Sequence, residues 1–211
     1  MIRIAVADDH AVVRKGLRQI ISDEHDFNVA GEAGSADELL TLLRSRSFDL
    51  VVLDLSLGSH SGIDLLKQIK CEFPRLPILI LSMHAEDLFA IRALRAGAAG
   101  YMQKESSPEE LLAAIRRIAG GGTYVSSAMA ERLANDVALG AAGTMPHERL
   151  SDREFEIFRL LGVGKSVTEI AHELNLSVKT VSTHRSRILE KTGFEKNADI
   201  VQYVTHQLIT R

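Results

Sequence analysis

Along the first 120 residues, short apolar runs alternate with longer stretches whose apolar positions recur every three or four residues. Residues 2–7 read as a strand that stops at Asp8-Asp9-His10. The stretch through Ile21 has helical spacing, with Val12, Val13, Leu17, Ile20 and Ile21 on one face. Phe27 to Gly31 reads as a second strand. Ser35, with Glu38 three residues on, forms a capping box that opens a helix through Leu43. The run Phe48-Asp49-Leu50-Val51-Val52-Leu53-Asp54 is too short for a helix and too uniformly apolar for a strand with one wet face, so it reads as a buried central strand. A helix from about Ile63 to Cys71 follows. Pro77 to Ser82 is a fourth strand, and a helix from about Glu86 to Ala96 stops at Gly97. Ala99 to Gln103 is a fifth strand. Ser107-Pro108-Glu109-Glu110 supplies a cap, a first-turn proline and two acids to a helix running to about Ala119.

Beyond Gly122 the pattern changes. A helix is predicted from Ser126 to about Leu139, with Ala130, Leu133, Ala134 and Val137 on one side, and 138–146 is small and breaker-rich, as in a tether. Two further capping boxes, Ser151 with Glu154 and Ser166 with Glu169, open helices to about Leu161 and Leu174. A tight turn, Asn175-Leu176-Ser177, leads to a longer helix from Val178 to about Lys191, ended by Gly193. Asn197 caps a last helix to about Leu208. The organisation expected is one domain over 1–122, a linker over 123–147 and an all-α four-helix domain over 148–211.

Five strands alternating with five helices predict an α/β unit: a doubly wound parallel sheet with both faces covered. Ligands gather outside the carboxyl ends of such strands. Asp8, Asp9, Asp54, Ser82 and Lys104 all fall there. Alone, Asp54 would be a cap or a turn residue, Asp8-Asp9 a helix cap, and Lys104 a solvated cation. Together they form three carboxylates that need a cation, an all-oxygen donor set that suits Mg²⁺, and an ammonium and a hydroxyl that suit phosphoryl oxygens. Asp54, at the end of the central strand, is the natural nucleophile for an aspartyl phosphate.

In the second domain, a short helix, a three-residue turn and a longer helix make a helix-turn-helix. Near the start of the longer helix, Thr180, Ser182, Thr183 and Ser186 suit base edges; Lys179, Arg185, Arg187 and Lys191 suit phosphates.

Bulk properties alter this only slightly. The chain has 211 residues, 45% of them hydrophobic, which suits two modest domains. Its net charge is −3, with 14 Lys/Arg against 17 Asp/Glu in residues 1–122 and 10 against 9 in residues 148–211, so a nucleic-acid partner rests on the local patch. The single cysteine, Cys71, excludes an internal disulfide. The first residues lack the apolar core and cleavage site of a signal peptide, and no apolar stretch approaches the roughly 20 residues of a span, so a cytoplasmic protein with no membrane partner is expected.

Asp8-Asp9, Asp54-Leu55 with Gly62 eight residues on, Ser82, and Gly100-Tyr101-Met102-Gln103-Lys104 resemble the receiver domain of two-component response regulators. The resemblance implies a flavodoxin-like fold, Asp54 as phosphoacceptor, and Mg²⁺ held by Asp9 directly, by Asp8 through water, and by Asp54 and the Ser56 carbonyl. It implies that Lys104 pairs with the phosphoryl group, that Ser82 swings toward it, and that Tyr101 changes rotamer as the readout. Leu150-Ser151-Asp152-Arg153-Glu154, Glu169-Ile170-Ala171, Leu174, Ser177, Thr180-Val181, His184, Ile188, Lys191 and Gly193 resemble the LuxR-type DNA-binding domain. A receiver joined to that domain resembles the NarL/FixJ subfamily, which implies a sensor histidine kinase and promoter DNA as partners and a homodimer on DNA, with Ile200, Val201 and Val204 of the last helix as dimer contacts. The expected role is a switch and not an enzyme.

The chain departs from these patterns at four places. Leu57-Gly58-Ser59 stands where Met-Pro-Gly is usual. Ser82 stands where Thr is common. Met83 replaces a small residue and is placed to narrow access to the phosphoryl site. Ser182 stands where Lys is common. Rival readings fit less well. A Mg²⁺-dependent phosphohydrolase would place its nucleophilic Asp on the first strand with an acid two residues on, and Asp8-Asp9-His10 lacks that spacing. A pure protein-interaction switch leaves the basic helix idle. Gly164-Lys165-Ser166 imitates a phosphate loop, but Arg159 stands where that motif needs glycine.

Overall fold

The computed structural model describes residues 1–57, 62–83, 86–138 and 145–209, with 86–88, 132–133, 135–138 and 207–209 described by backbone alone. The chain divides into two compact units, Met1–Glu131 and Arg132–Arg211.

In the first unit the elements alternate as β1 (Ile2–Ala7), α1 (Ala11–Ser22), β2 (Phe27–Ala33), α2 (Ala36–Ser45), β3 (Leu50–Leu53), α3 (Gly62–Glu72), β4 (Ile78–Ser82), α4 (Glu86–Arg95), β5 (Gly100–Gln103) and α5 (Pro108–Ala119). All strand pairs are parallel, in the order β2-β1-β3-β4-β5. Successive side chains point to opposite faces of a strand. Ile4, Val6, Leu50, Val52, Leu79, Leu81 and Met102 therefore share one face, packed with Leu17 and Ile21 of α1 and Leu111, Ala114, Ile115 and Ile118 of α5. Each strand of β1, β3 and β4 is buried on both faces over most of its length, which is why none of them shows a polar alternation. After α5 the chain returns beside β5, where Tyr124 N donates to Ala99 O and Tyr101 N donates to Tyr124 O. Gly100 permits this approach: a Cβ there would stand 2.8 Å from Tyr124 O.

Helix α6 (Ser127–Ala138) spans the boundary between the units. In the second unit a 3₁₀ turn (Pro146–Arg149) precedes α7 (Asp152–Gly162), α8 (Val167–Glu173), α9 (Val178–Thr192) and α10 (Asn197–Ile209). Capping boxes close the starts of α7 and α8, and Gly193 ends α9 in the left-handed region at φ 74°. Phe155, Phe158, Phe194, Tyr203 and His147 form one aromatic cluster. Gly162 lets α10 lie close to α7, since a Cβ there would meet Val204 Cγ2 at 2.5 Å.

Several expectations are corrected. Val12 is 85% exposed, so the α1 core stripe is Val13, Leu17, Ile20 and Ile21. The box at α2 is shared between two residues: Ser35 accepts from Glu38 N, but Glu38 reaches Gly34 N instead of the cap residue. Asn197 does not cap α10, because its Oδ1 accepts from Arg185 Nε at 2.6 Å; Asp199 Oδ2 takes Glu195 N and Lys196 N instead. In α6, Ala130 and Ala134 are exposed and Met129 is buried, while the side chains of Leu133 and Val137 lie outside those described.

Candidate phosphoacceptor pocket and DNA-reading helix

The pocket is assembled by the sheet order. β1 and β3 are neighbours, so Asp8 and Asp54, each one residue past its strand, stand side by side; Asp54 N donates to Ala7 O. Both carboxylates are buried, at 1% and 2% exposure. The same local device orients each. Asp8 Oδ1 accepts from His10 N at 2.8 Å, and Asp54 Oδ1 accepts from Ser56 N at 3.1 Å, the bond of an aspartate to its own chain two residues on. That fixes one oxygen of each and turns both Oδ2 atoms to the same point. Lys104, delivered by β5, fills it, with Nζ 2.6 Å from Asp8 Oδ2 and 2.8 Å from Asp54 Oδ2. Burial works against the ammonium's charge, but the hydrogen bonds it donates to Asp54 and Asp8 and its attraction to both outweigh it and hold Lys104 above the usual lysine range.

Asp9 lies at the rim, 42% exposed, with His10 Nδ1 2.6 Å from its Oδ1. Ligand atoms of Asp8, Asp9, His10 and Asp54 lie within 4.8 Å of one another. This donor set fits Mg²⁺: carboxylate oxygens dominate, one Lys⁺ leaves three carboxylates undercompensated, and the exposed Asp9 side keeps room for the waters Mg²⁺ retains. Ser82 is fully buried at the end of β4, and its carbonyl accepts from Lys104 N at 2.9 Å. Tyr101 is also fully buried, and Met83 is 63% exposed. Leu57 is buried at 1% exposure, which anchors the start of the loop after Asp54; Gly58 and Ser59 lie outside the described residues. Gly62 is dictated by contact, since a Cβ there would stand 2.1 Å from Leu55 O. His10 was not singled out from the sequence, although it directly follows the two aspartates.

In the second unit, α9 carries Lys179, Ser182, Thr183, Ser186 and Arg187 on its exposed side, with Thr180, His184 and Arg185 half-buried and Val181 and Ile188 inside. The hydroxyls are held by local bonds: Thr180 to Ser177, Thr183 to Lys179 O, and Ser186 to Ser182 O. Two predicted phosphate contacts are otherwise engaged. Lys191 Nζ pairs with buried Glu154 at 2.6 Å, tying the end of α9 to the cap of α7, so Lys191 is a structural cation here. Arg185 is turned toward Asn197. Among the described residues Lys179 and Arg187 have no ion-pair partner. The dimer contacts are also corrected: Ile200 and Val204 are 0% and 1% exposed, consumed by packing, and only Val201 is half-buried.

A carboxylate pocket with a bridging lysine on a parallel sheet, and a separate helix-turn-helix unit, define a receiver joined to a DNA-binding domain. Residues 4–116 match the family described as response regulator receiver domain, and residues 148–204 match bacterial regulatory proteins, luxR family. Response regulator UvrY of Escherichia coli is 32% identical over 200 residues, covering 95% of this chain and 92% of that protein. Oxygen regulatory protein NreC of Staphylococcus aureus is 36% identical over 207 residues, covering 95% of each. The solved structure of the Salmonella typhimurium RcsB response regulator superposes with a TM-score of 0.73 at 30% identity, covering 98% of each chain. The chain belongs to the two-component response regulators, in the NarL/FixJ subfamily of DNA-binding transcriptional regulators. Among the described residues no helix is long and apolar enough to cross a membrane.

Proposed function

We propose that Asp54 accepts a phosphoryl group from the phosphohistidine of a sensor kinase, and that this modification controls promoter binding through α9. The observation that carries the reading is the Lys104 ammonium straddling Asp8 and Asp54 while the Ser56 amide fixes the other Asp54 oxygen. One Asp54 oxygen forms the new P–O bond as the P–N bond to the kinase imidazole breaks, and the electron pair leaves with the imidazole. Lys104 follows the transferring charge, its contact to Asp54 giving way to a contact with the phosphoryl oxygens. Asp8, Asp9, Asp54 and the Ser56 carbonyl would hold Mg²⁺, which when bound supplies positive charge against those oxygens.

Phosphorylation adds about −1.5 to −2 charges at Asp54. In this reading Ser82, at the end of β4, donates its hydroxyl to the new group, and Tyr101 changes rotamer in response. The receiver is taken as 1–122, the linker as 123–147 and the DNA-binding domain as 148–211. On DNA, Thr180, Ser182, Thr183 and Ser186 meet base edges while Lys179, Arg187 and the free end of Arg185 meet phosphates. RcsB solved on promoter rprA with phosphomimetic BeF3⁻, at a TM-score of 0.72, and RcsB dimers solved on DNA support a homodimer as the binding species. A gel-shift on genomic promoter fragments with and without acetyl phosphate tests this. The expected result is tighter binding with the phosphodonor; identical binding in both arms would contradict it.

A further inference from the structure

We propose that the His10 imidazole belongs to the metal site and sets its choice among divalent ions, favouring those that accept nitrogen ligands, such as Co²⁺, over Mg²⁺. This rests on the reading of the pocket as a cation site. His10 Nδ1 stands 2.6 Å from Asp9 Oδ1 and 3.4 Å from Asp8 Oδ1. In an octahedral set with bonds of about 2.1 Å, neighbouring ligand atoms lie about 3 Å apart. The two distances bracket that spacing, so Nδ1 already sits where a neighbour of both oxygens belongs.

The position is held by the backbone. His10 is the residue before α1, extended at φ −87° and ψ 106°; its side chain takes no part in capping, and its amide donates to Asp8 Oδ1. The side chain is 66% exposed, so the contacts at its Nδ1, and not core packing, give the ring its place. Imidazole nitrogen suits ions such as Zn²⁺, Ni²⁺ and Cu²⁺, whereas Mg²⁺ takes oxygen and retains its waters. One nitrogen added to an oxygen site therefore raises affinity for the first class and leaves Mg²⁺ nearly unchanged.

The alternative role, a hydrogen bond that only orients Asp9, makes a different prediction, since it would affect every ion alike. Calorimetric titration of the full chain with Mg²⁺ and separately with Co²⁺, at one pH, compares wild type, His10→Ala and His10→Gln, the last retaining a donor for Asp9. We expect both variants to weaken Co²⁺ by about tenfold or more while Mg²⁺ binding stays essentially as in wild type. Pulsed electron resonance of bound Mn²⁺ gives a second readout: imidazole nitrogen modulation in wild type and none in either variant. Equal weakening of both ions, rescue of Co²⁺ by His10→Gln, or no change in either variant would overturn the proposal. Failure of the wild type to bind Mg²⁺ would overturn the cation-site reading itself.

Discussion

Lys104 Nζ lies 2.8 Å from Asp54 Oδ2 and only 2.6 Å from Asp8 Oδ2, so one ammonium bridges two buried carboxylates that the sheet forces together. Removing it leaves both carboxylates without that partner, a loss that typically costs about 3–5 kcal/mol for a buried pair. Lys104→Met, close in volume, is predicted to lower the unfolding midpoint in chelator and to recover more of it with Mg²⁺ than wild type gains. Urea titration with and without Mg²⁺ checks this; an unchanged midpoint in chelator would refute it.

Glu154 is predicted to control the acid stability of the DNA-binding domain. Burial pushes its carboxyl up, but hydrogen bonds from Lys191 and from Ser151 prevail and hold it below the usual carboxylate range. A depressed folded pKa contributes stability that is present above the unfolded value of about 4.3 and lost as pH falls through the folded value. Glu154→Gln should therefore cost about 1–2 kcal/mol at neutral pH, and the difference from wild type should shrink below pH 4. A constant difference down to pH 3 would contradict the assignment.

Gly62 and Gly16 should respond in opposite ways to alanine. A Cβ at Gly62 meets Leu55 backbone at 2.1 Å, inside the turn that follows Asp54, whereas Gly16, inside α1, has nothing within 4 Å. Gly62→Ala is predicted to destabilise by about 1–3 kcal/mol or more through overpacking and to slow phosphorylation. Gly16→Ala is predicted to be neutral or to stabilise by up to about 1 kcal/mol. Thermal melts and acetyl phosphate labelling of both variants give the comparison.

The helix α9 cations separate in the same manner. Arg187→Ala, at an exposed cation without an ion-pair partner among the described residues, should weaken DNA binding and reduce the log–log salt slope by about 1 while leaving stability unchanged. Lys191→Ala should instead lower stability, because it strips Glu154 of its partner. Equal effects of the two variants on the salt slope would show that Lys191 serves a phosphate after all.

The strands and the pocket were legible because each is a local pattern with a fixed consequence. Apolar runs buried on both faces fix a parallel sheet, and the sheet then brings Asp8, Asp54, Ser82 and Lys104 to one edge whatever lies between them. The misses share another cause. Lys191 and a phosphate-facing cation look alike in sequence, since only the tertiary approach of α7 reveals Glu154 as its partner. Asn197 matches the composition of a cap, yet Arg185, twelve residues earlier, takes its oxygen. Ile200 and Val204 have the spacing of either a core or an interface stripe, and the closeness of α7 at Gly162 decides for core. His10 follows Asp8-Asp9 directly, but a lone histidine at a helix start carries no signal until the distance from its ring to both carboxylates is known.

The central claim is that Asp54 is the phosphoacceptor. Mass spectrometry of the intact chain after incubation with acetyl phosphate and Mg²⁺, for wild type and Asp54→Asn, tests it most directly. The account predicts one added phosphoryl group on wild type and none on Asp54→Asn, an isosteric change that keeps an acceptor oxygen for the Ser56 amide. Labelling of Asp54→Asn at the wild-type level would contradict it.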